Sequence, residues 1–131
     1  MLFRSRKLGM NIELVKKFYE LFRKQDRAFL ELCHDDIEWT VMKNMPNGGT
    51  HVGKKNVFDD YFPKLFAKFA EFHVITDEFI TADNRVLVFG TYKITSKSKK
   101  KFDAPFVHIY TIQDNKIAKF RQYSEIGRAH V

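Results

Sequence analysis

Residues 101–123, KFDAPFVHIYTIQDNKIAKFRQY, decide the fold. Apolar and polar residues alternate on both sides of Asp114-Asn115, which reads as two strands joined by a tight turn. On the second strand Phe120, Gln122 and Ser124 share one face, and Lys119, Arg121 and Tyr123 share the other. The second set is too charged for a core, so Phe120 and Gln122 point inward. On the first strand Phe106, His108 and Tyr110 oppose Val107, Ile109 and Thr111. A period of two does not choose between those faces.

Two more strands precede this hairpin. Arg85–Thr95 is rich in Val, Leu, Phe and Tyr, and Phe72–Thr81 reaches it through a turn at Ala82-Asp83-Asn84. Strands joined by short turns make an antiparallel meander. Further upstream, Asn11 caps a helix with an apolar stripe at Ile12, Val15, Phe18, Tyr19 and Phe22, ending near Gln25. Asp26 caps a shorter helix that turns Phe29, Leu30 and Cys33 inward and closes at His34-Asp35-Asp36. Ile37–Met42 alternates as a strand, with Ile37, Trp39 and Val41 on one face. Asn44–Gly53 reads as a loop forming a flexible rim. Lys54–Phe69 is a third helix, interrupted at Pro63. The expected fold is α+β: a curved sheet wrapped as a cone around three helices from the N-terminal half, with a cavity open at one end.

The composition agrees with one folded domain. Of 131 residues 44% are hydrophobic and 30% charged, and 14 are phenylalanine, enough ring area to line an apolar cavity or fill a ring-rich core. The single cysteine, Cys33, excludes an internal disulfide and reads as a buried, inert thiol. No run reaches membrane-spanning length and no signal-peptide pattern is present, so the expected location is cytoplasmic, with no membrane partner. The net charge of +7 raises the question of nucleic acid. Much of it sits at Lys97–Lys101, a solvated hairpin tip, and no nucleic-acid-binding motif accompanies it, so nucleic acid is not an expected partner.

Both ends look foreign. Leu2-Phe3-Arg4-Ser5 and Glu125–Val131 read as translated sequencing adapter, as in an open reading frame from a metagenomic contig. The expected domain is therefore residues 10–124, with 1–9 and 125–131 artefactual or disordered and the native residues beyond Ser124 lost.

His108 is the sharpest chemical candidate, because an imidazole can give or take a proton near neutral pH. The bland alternatives are a core histidine bonded to a neighbour such as Gln122, or a surface one. Asp103 reads as a surface ion-pair partner. His34, His51 and His73 show no metal-ligand spacing, and no nucleophile motif is present.

Three stretches carry a resemblance: VKKFYELFRKQDRAFLELCHDDIEW, GGTHVGKKNVFDDYF and KKFDAPFVHIYTIQDNKIAKFRQY. With the order of elements, they make the chain similar to the SnoaL-like group of the nuclear transport factor 2-like superfamily, which includes ketosteroid isomerases and limonene epoxide hydrolases. The resemblance implies that the cone is a curved mixed β-sheet, that Phe106, His108 and Tyr110 point inward, that the Ile37–Met42 strand joins the same sheet, and that the protein is a homodimer through the sheet. It also exposes departures. The isomerase base falls near Val41, the second acid at His108, and the oxyanion tyrosine at Phe18, beside Tyr19. No inward Asp-Arg-Asp set matches the hydrolases. The cyclase aspartate falls near Gln122 or at Glu125, the first adapter-like residue.

The resulting expectation is a pocket for a small hydrophobic, carbonyl-containing molecule, walled by Tyr19, Trp39, Phe62, Phe106 and Phe120. In an isomerase or cyclase, His108 would move a proton while Tyr110 or Gln122 bonds the oxyanion, with no cofactor and no metal. The alternatives are a non-catalytic ligand-binding or dimerisation module, and a basic interaction protein acting through Lys97–Lys101.

Overall fold

The computed structural model describes residues 2–125, with side chains from residue 9 onward. Helix α1 (Leu2–Arg23) carries the expected stripe: Val15, Phe18 and Tyr19 are buried, and Ile12 and Phe22 pack partly buried against the core. The helix begins well before Asn11, which is therefore a buried interior residue and not a cap. Asp26 does cap the next element, accepting from the Ala28 amide, but that element is a single 3-10 helix, Arg27–Leu32.

Strand β1 (Cys33–Val41) starts earlier than the alternation at Ile37 suggests and absorbs His34-Asp35-Asp36. Four residues of the glycine-rich segment also form a strand, β2 (Gly49–Val52), paired antiparallel to β1. The third helix comes in two parts, a π-helix Lys55–Tyr61 and then α2 (Phe62–Phe66). Pro63 has no amide to donate, so the helix changes pitch beside it, in the preceding turn. The wider π turn brings Val57, Phe58 and Tyr61 together into the core.

Strands β3 (Phe69–Ala82), β4 (Arg85–Ser96), β5 (Lys101–Gln113) and β6 (Lys116–Ser124) form the expected meander. Asp114 and Asn115 both take positive φ, 52° and 61°, as a two-residue hairpin turn with the right twist requires. β1 joins the same sheet by pairing parallel to β6, giving the order β2-β1-β6-β5-β4-β3.

The expectation of a cone is corrected here. The α+β class, the helices and the mixed sheet are present, but the sheet is open and not strongly curved. Its two edges, β2 and β3, are not paired with each other. Closure needs strand tilt and stagger that bring the edges together. Here β2 is four residues long, and the β3–β6 meander runs in register apart from shifts at Phe69/Glu71, Thr76/Glu78 and Thr111/Ile112. The helices lie across one face of this open sheet, and the core sits between the two layers.

Candidate functional site

The inner face of the sheet is set by strand parity. Phe106, His108 and Tyr110 on β5, and Phe120 and Gln122 on β6, are all buried. His108 lies directly opposite Gln122, and Tyr110 opposite Phe120. On β1, Trp39 is opposite Phe120 and stacks on it, with ring centroids 3.7 Å apart and planes 11° from parallel. From the helical layer, Phe18, Tyr19, Phe58 and Phe62 close over these residues in a continuous network of ring contacts. Edge-to-face and offset contacts of this kind add to the apolar burial.

A cavity of about 1010 Å³ lies between the layers. Of the residues expected in the pocket, Tyr19, Trp39, Phe62, His108, Tyr110, Phe120 and Gln122 border it. Phe106 does not. It stacks behind His108, centroids 4.0 Å apart, and against Tyr92 at 4.5 Å, and so buttresses the histidine from the far side. That position depends on Gly90, where a Cβ would fall 2.4 Å from the Phe106 ring and 2.1 Å from the Ile75 carbonyl oxygen.

The polar part of the cavity is a single hydrogen-bonded chain. Tyr19 Oη lies 2.7 Å from His108 Nδ1, and Tyr92 Oη lies 2.6 Å from His108 Nε2. Gln122 Nε2 donates to Tyr92 Oη at 3.1 Å. Tyr19 is also hydrogen-bonded to Tyr110. The chain thus runs Gln122–Tyr92–His108–Tyr19–Tyr110, and joins residues from α1, β4, β5 and β6. Gln122 Oε1 is buried and has no hydrogen-bond partner.

Burial sets the charge state of this chain. It holds the His108 imidazole well below its ordinary value, and pushes the Tyr19, Tyr92 and Tyr110 phenols well above theirs. The whole network is therefore neutral at neutral pH. A neutral imidazole offers one donor and one acceptor, so one tyrosine donates to it and the other accepts from it. Among the described residues bordering the cavity, the one carboxylate is Glu71, on the edge strand β3, where Thr95 Oγ1 donates to it. Glu125 is exposed beyond the end of β6, and residues 126–131 lie outside the described residues. Arg23 and Arg27 border the cavity on the helical side. Arg23 donates to the Val74 carbonyl and to Thr76 and lies over the Tyr19 ring, and Arg27 pairs with Asp59.

Sequence reasoning missed Tyr92, the second partner of His108. Parity held the signal, because Tyr92 shares its strand face with Val86, Val88 and Ile94, all buried. It missed Met45, Phe58 and Tyr61 on the cavity wall as well. Cys33 is buried as expected, with Sγ 3.6 Å from the Phe29 carbonyl oxygen and its thiol pushed up to about 12 by burial. Among the described residues, no group of three or more His, Cys, Asp or Glu side chains could hold a metal ion, and no helix is long and apolar enough to cross a membrane.

Comparison with known proteins bears on this architecture. Over 92% of this chain, the structure of TerC co-crystallised with polyporic acid matches with a TM-score of 0.84 and 28% identity, covering 95% of that chain. An NTF2-like protein of unknown function from Burkholderia pseudomallei matches with a TM-score of 0.83 and 25% identity, over 92% of this chain and 94% of that one. Bal32a, from a soil-derived mobile gene cassette, shares the fold at 18% identity, with a TM-score of 0.82 over 93% of this chain and 94% of that one. No curated protein matches the chain by sequence. The SnoaL-like domain model matches residues 15–120, which span α1 to β6 and every residue of the hydrogen-bonded chain except Gln122, and the protein belongs to the SnoaL-like domain family of the NTF2-like superfamily.

Proposed function

We propose that this protein binds a flat, hydrophobic, carbonyl-bearing small molecule in the cavity between sheet and helices. The observation that carries this reading is the contrast inside the cavity. Aromatic walls surround a neutral hydrogen-bonded chain that includes a buried amide oxygen with no partner. Apolar walls with a few convergent polar groups are what an oriented, mostly apolar ligand needs. The similarity to TerC, co-crystallised with polyporic acid, supports the same class of ligand.

Acid–base chemistry of the isomerase or cyclase type is the second reading, and the Tyr–His–Tyr chain favours it. A tyrosine hydroxyl could donate to a ligand carbonyl as negative charge develops there, with His108 behind it to resupply the proton. Abstracting a proton from carbon would require His108 to release one of its tyrosine partners, since both ring nitrogens are engaged. Binding is therefore the leading reading. A homodimer through the outer face of the sheet accompanies either one. Leu87, Phe89, Val107 and Ile109 lie there half-buried, with Ile80 and Tyr123 exposed.

Calorimetric titration of wild type and His108→Ala with polyporic acid, aromatic polyketides and planar enones tests both readings. Saturable binding that weakens in the variant is expected. Turnover lost in the variant would promote the isomerase or cyclase reading, and no binding by any compound would overturn the assignment.

A further inference from the structure

The ends of the hydrogen-bonded chain carry information about the ligand that the middle does not. Gln122 is fixed at the centre of the sheet, on β6 opposite His108, and borders the cavity. Its amide is half used: Nε2 donates to Tyr92 Oη, while Oε1 is buried and unpartnered. An unsatisfied buried acceptor costs roughly 1–3 kcal/mol, and such groups call for an explanation when they occur.

The direction of the bonds follows from the same end. Tyr92 accepts from Gln122, so its own proton is free to go to His108 Nε2, at 2.6 Å. In that tautomer His108 Nδ1–H donates to Tyr19 Oη, which leaves the Tyr19 proton free to go to Tyr110. Every bond points the same way. The chain then ends in an open acceptor at Gln122 and a hydroxyl donor at Tyr110, both bordering the cavity. These residues sit diagonally across the β5–β6 pair, a spacing of roughly 7–8 Å.

We infer that Gln122 Oε1 is the specificity-determining acceptor of the site, and that the ligand presents a neutral hydroxyl or other hydrogen-bond donor to it. This deepens the binding reading above and rests on it. An ionised enolate or carboxylate at that end would set negative charge against a carbonyl oxygen. A protonated phenol or enol would complete the amide.

Three planar probes of one skeleton test this by calorimetry on the full chain at neutral pH: 6-hydroxyflavone, 6-methoxyflavone and unsubstituted flavone. The hydroxy compound should bind wild type about five-fold tighter than the methoxy compound, the size of one net hydrogen bond. In Gln122→Met, which keeps the side-chain length and removes the acceptor, the two should bind alike. Equal affinities in wild type would overturn the inference without any appeal to a variant. So would a hydroxyl preference that survives in Gln122→Met. Binding of all three with no hydroxyl preference leaves the small-molecule reading standing and removes this inference alone. Binding of none removes both.

Discussion

Strands β5 and β6 present two faces built from the same backbone, and the faces have different fates. The inner one carries Phe106, His108, Tyr110, Phe120 and Gln122, all buried, with rings stacked and polar atoms tied into one chain. The outer one carries Val107, Ile109, Thr111, Arg121 and Tyr123, half-buried or exposed, with Tyr123 left 45% exposed. One residue of register separates them. The inner face is over-determined by packing, so substitutions there should cost stability. The outer face touches solvent and should matter through association.

The largest effect should come from the centre of the inner face. Phe120→Ala removes the ring stacked on Trp39 and packed against His108 and Tyr110, and should cost about 3–5 kcal/mol in chemical denaturation. Ile109→Ala, one face away, should cost far less, and comparable losses at the two positions would break the distinction.

Next is the hydrogen-bonded chain. Tyr92→Phe keeps the ring but strips partners from His108 Nε2 and Gln122 Nε2, and should cost roughly 1–3 kcal/mol. A neutral result would mean that the chain contributes little beyond its packing.

The same chain makes stability depend on pH with a definite sign. Burial lowers the His108 pKa in the folded state, so below the unfolded value of about 6.5 the unfolded chain binds a proton that the folded one refuses. His108 thus contributes stability that is present above about pH 6.5 and falls as the pH drops, by up to about 1.4 kcal/mol per pH unit. The buried tyrosines act in reverse, with stability lost above about pH 10 as the unfolded phenols ionise. Comparing denaturant midpoints between pH 7 and pH 5 for wild type and His108→Phe isolates the acid limb, which the variant should flatten.

The smallest effect on monomer stability belongs to the outer face. Ile109→Lys should move stability by less than about 1 kcal/mol, since surface substitutions are usually mild. It should nonetheless shift the protein toward monomer in sedimentation velocity. An unchanged sedimentation coefficient would place any association elsewhere.

Much of the inner face was legible because it depended on local patterns. The stripe on α1, the alternation from Ile37 to Val41 and the charged set on β6 each named a buried face unaided. What was not legible needed the third dimension. β2 is a four-residue edge strand entered through Gly49 at φ 112°, and its pairing with β1 leaves no periodic trace in a glycine-rich segment. The π turn before Pro63 keeps a helical apolar pattern, so periodicity does not separate it from α-helix. Phe106 shares a strand face with His108, yet the close approach at Gly90 puts it behind the histidine and away from the cavity. The open sheet was missed for a related reason, because curvature depends on bulges and strand lengths and not on which residues alternate. Tyr92 was readable by parity and was overlooked because its contact with His108 depends on the β4–β5 register, which sets Val88 and not Tyr92 directly opposite the histidine.

The central claim is that the inner face of β5 and β6 is a ligand-binding surface and the outer face is not. Nitrogen-15 NMR during titration with 6-hydroxyflavone tests it most directly. The ring nitrogens of His108 and the side-chain amide of Gln122 should shift and saturate together, while the backbone amides of Arg121 and Tyr123 stay near their starting positions. Shifts confined to the outer face, with the His108 ring nitrogens unmoved at saturation, would contradict it.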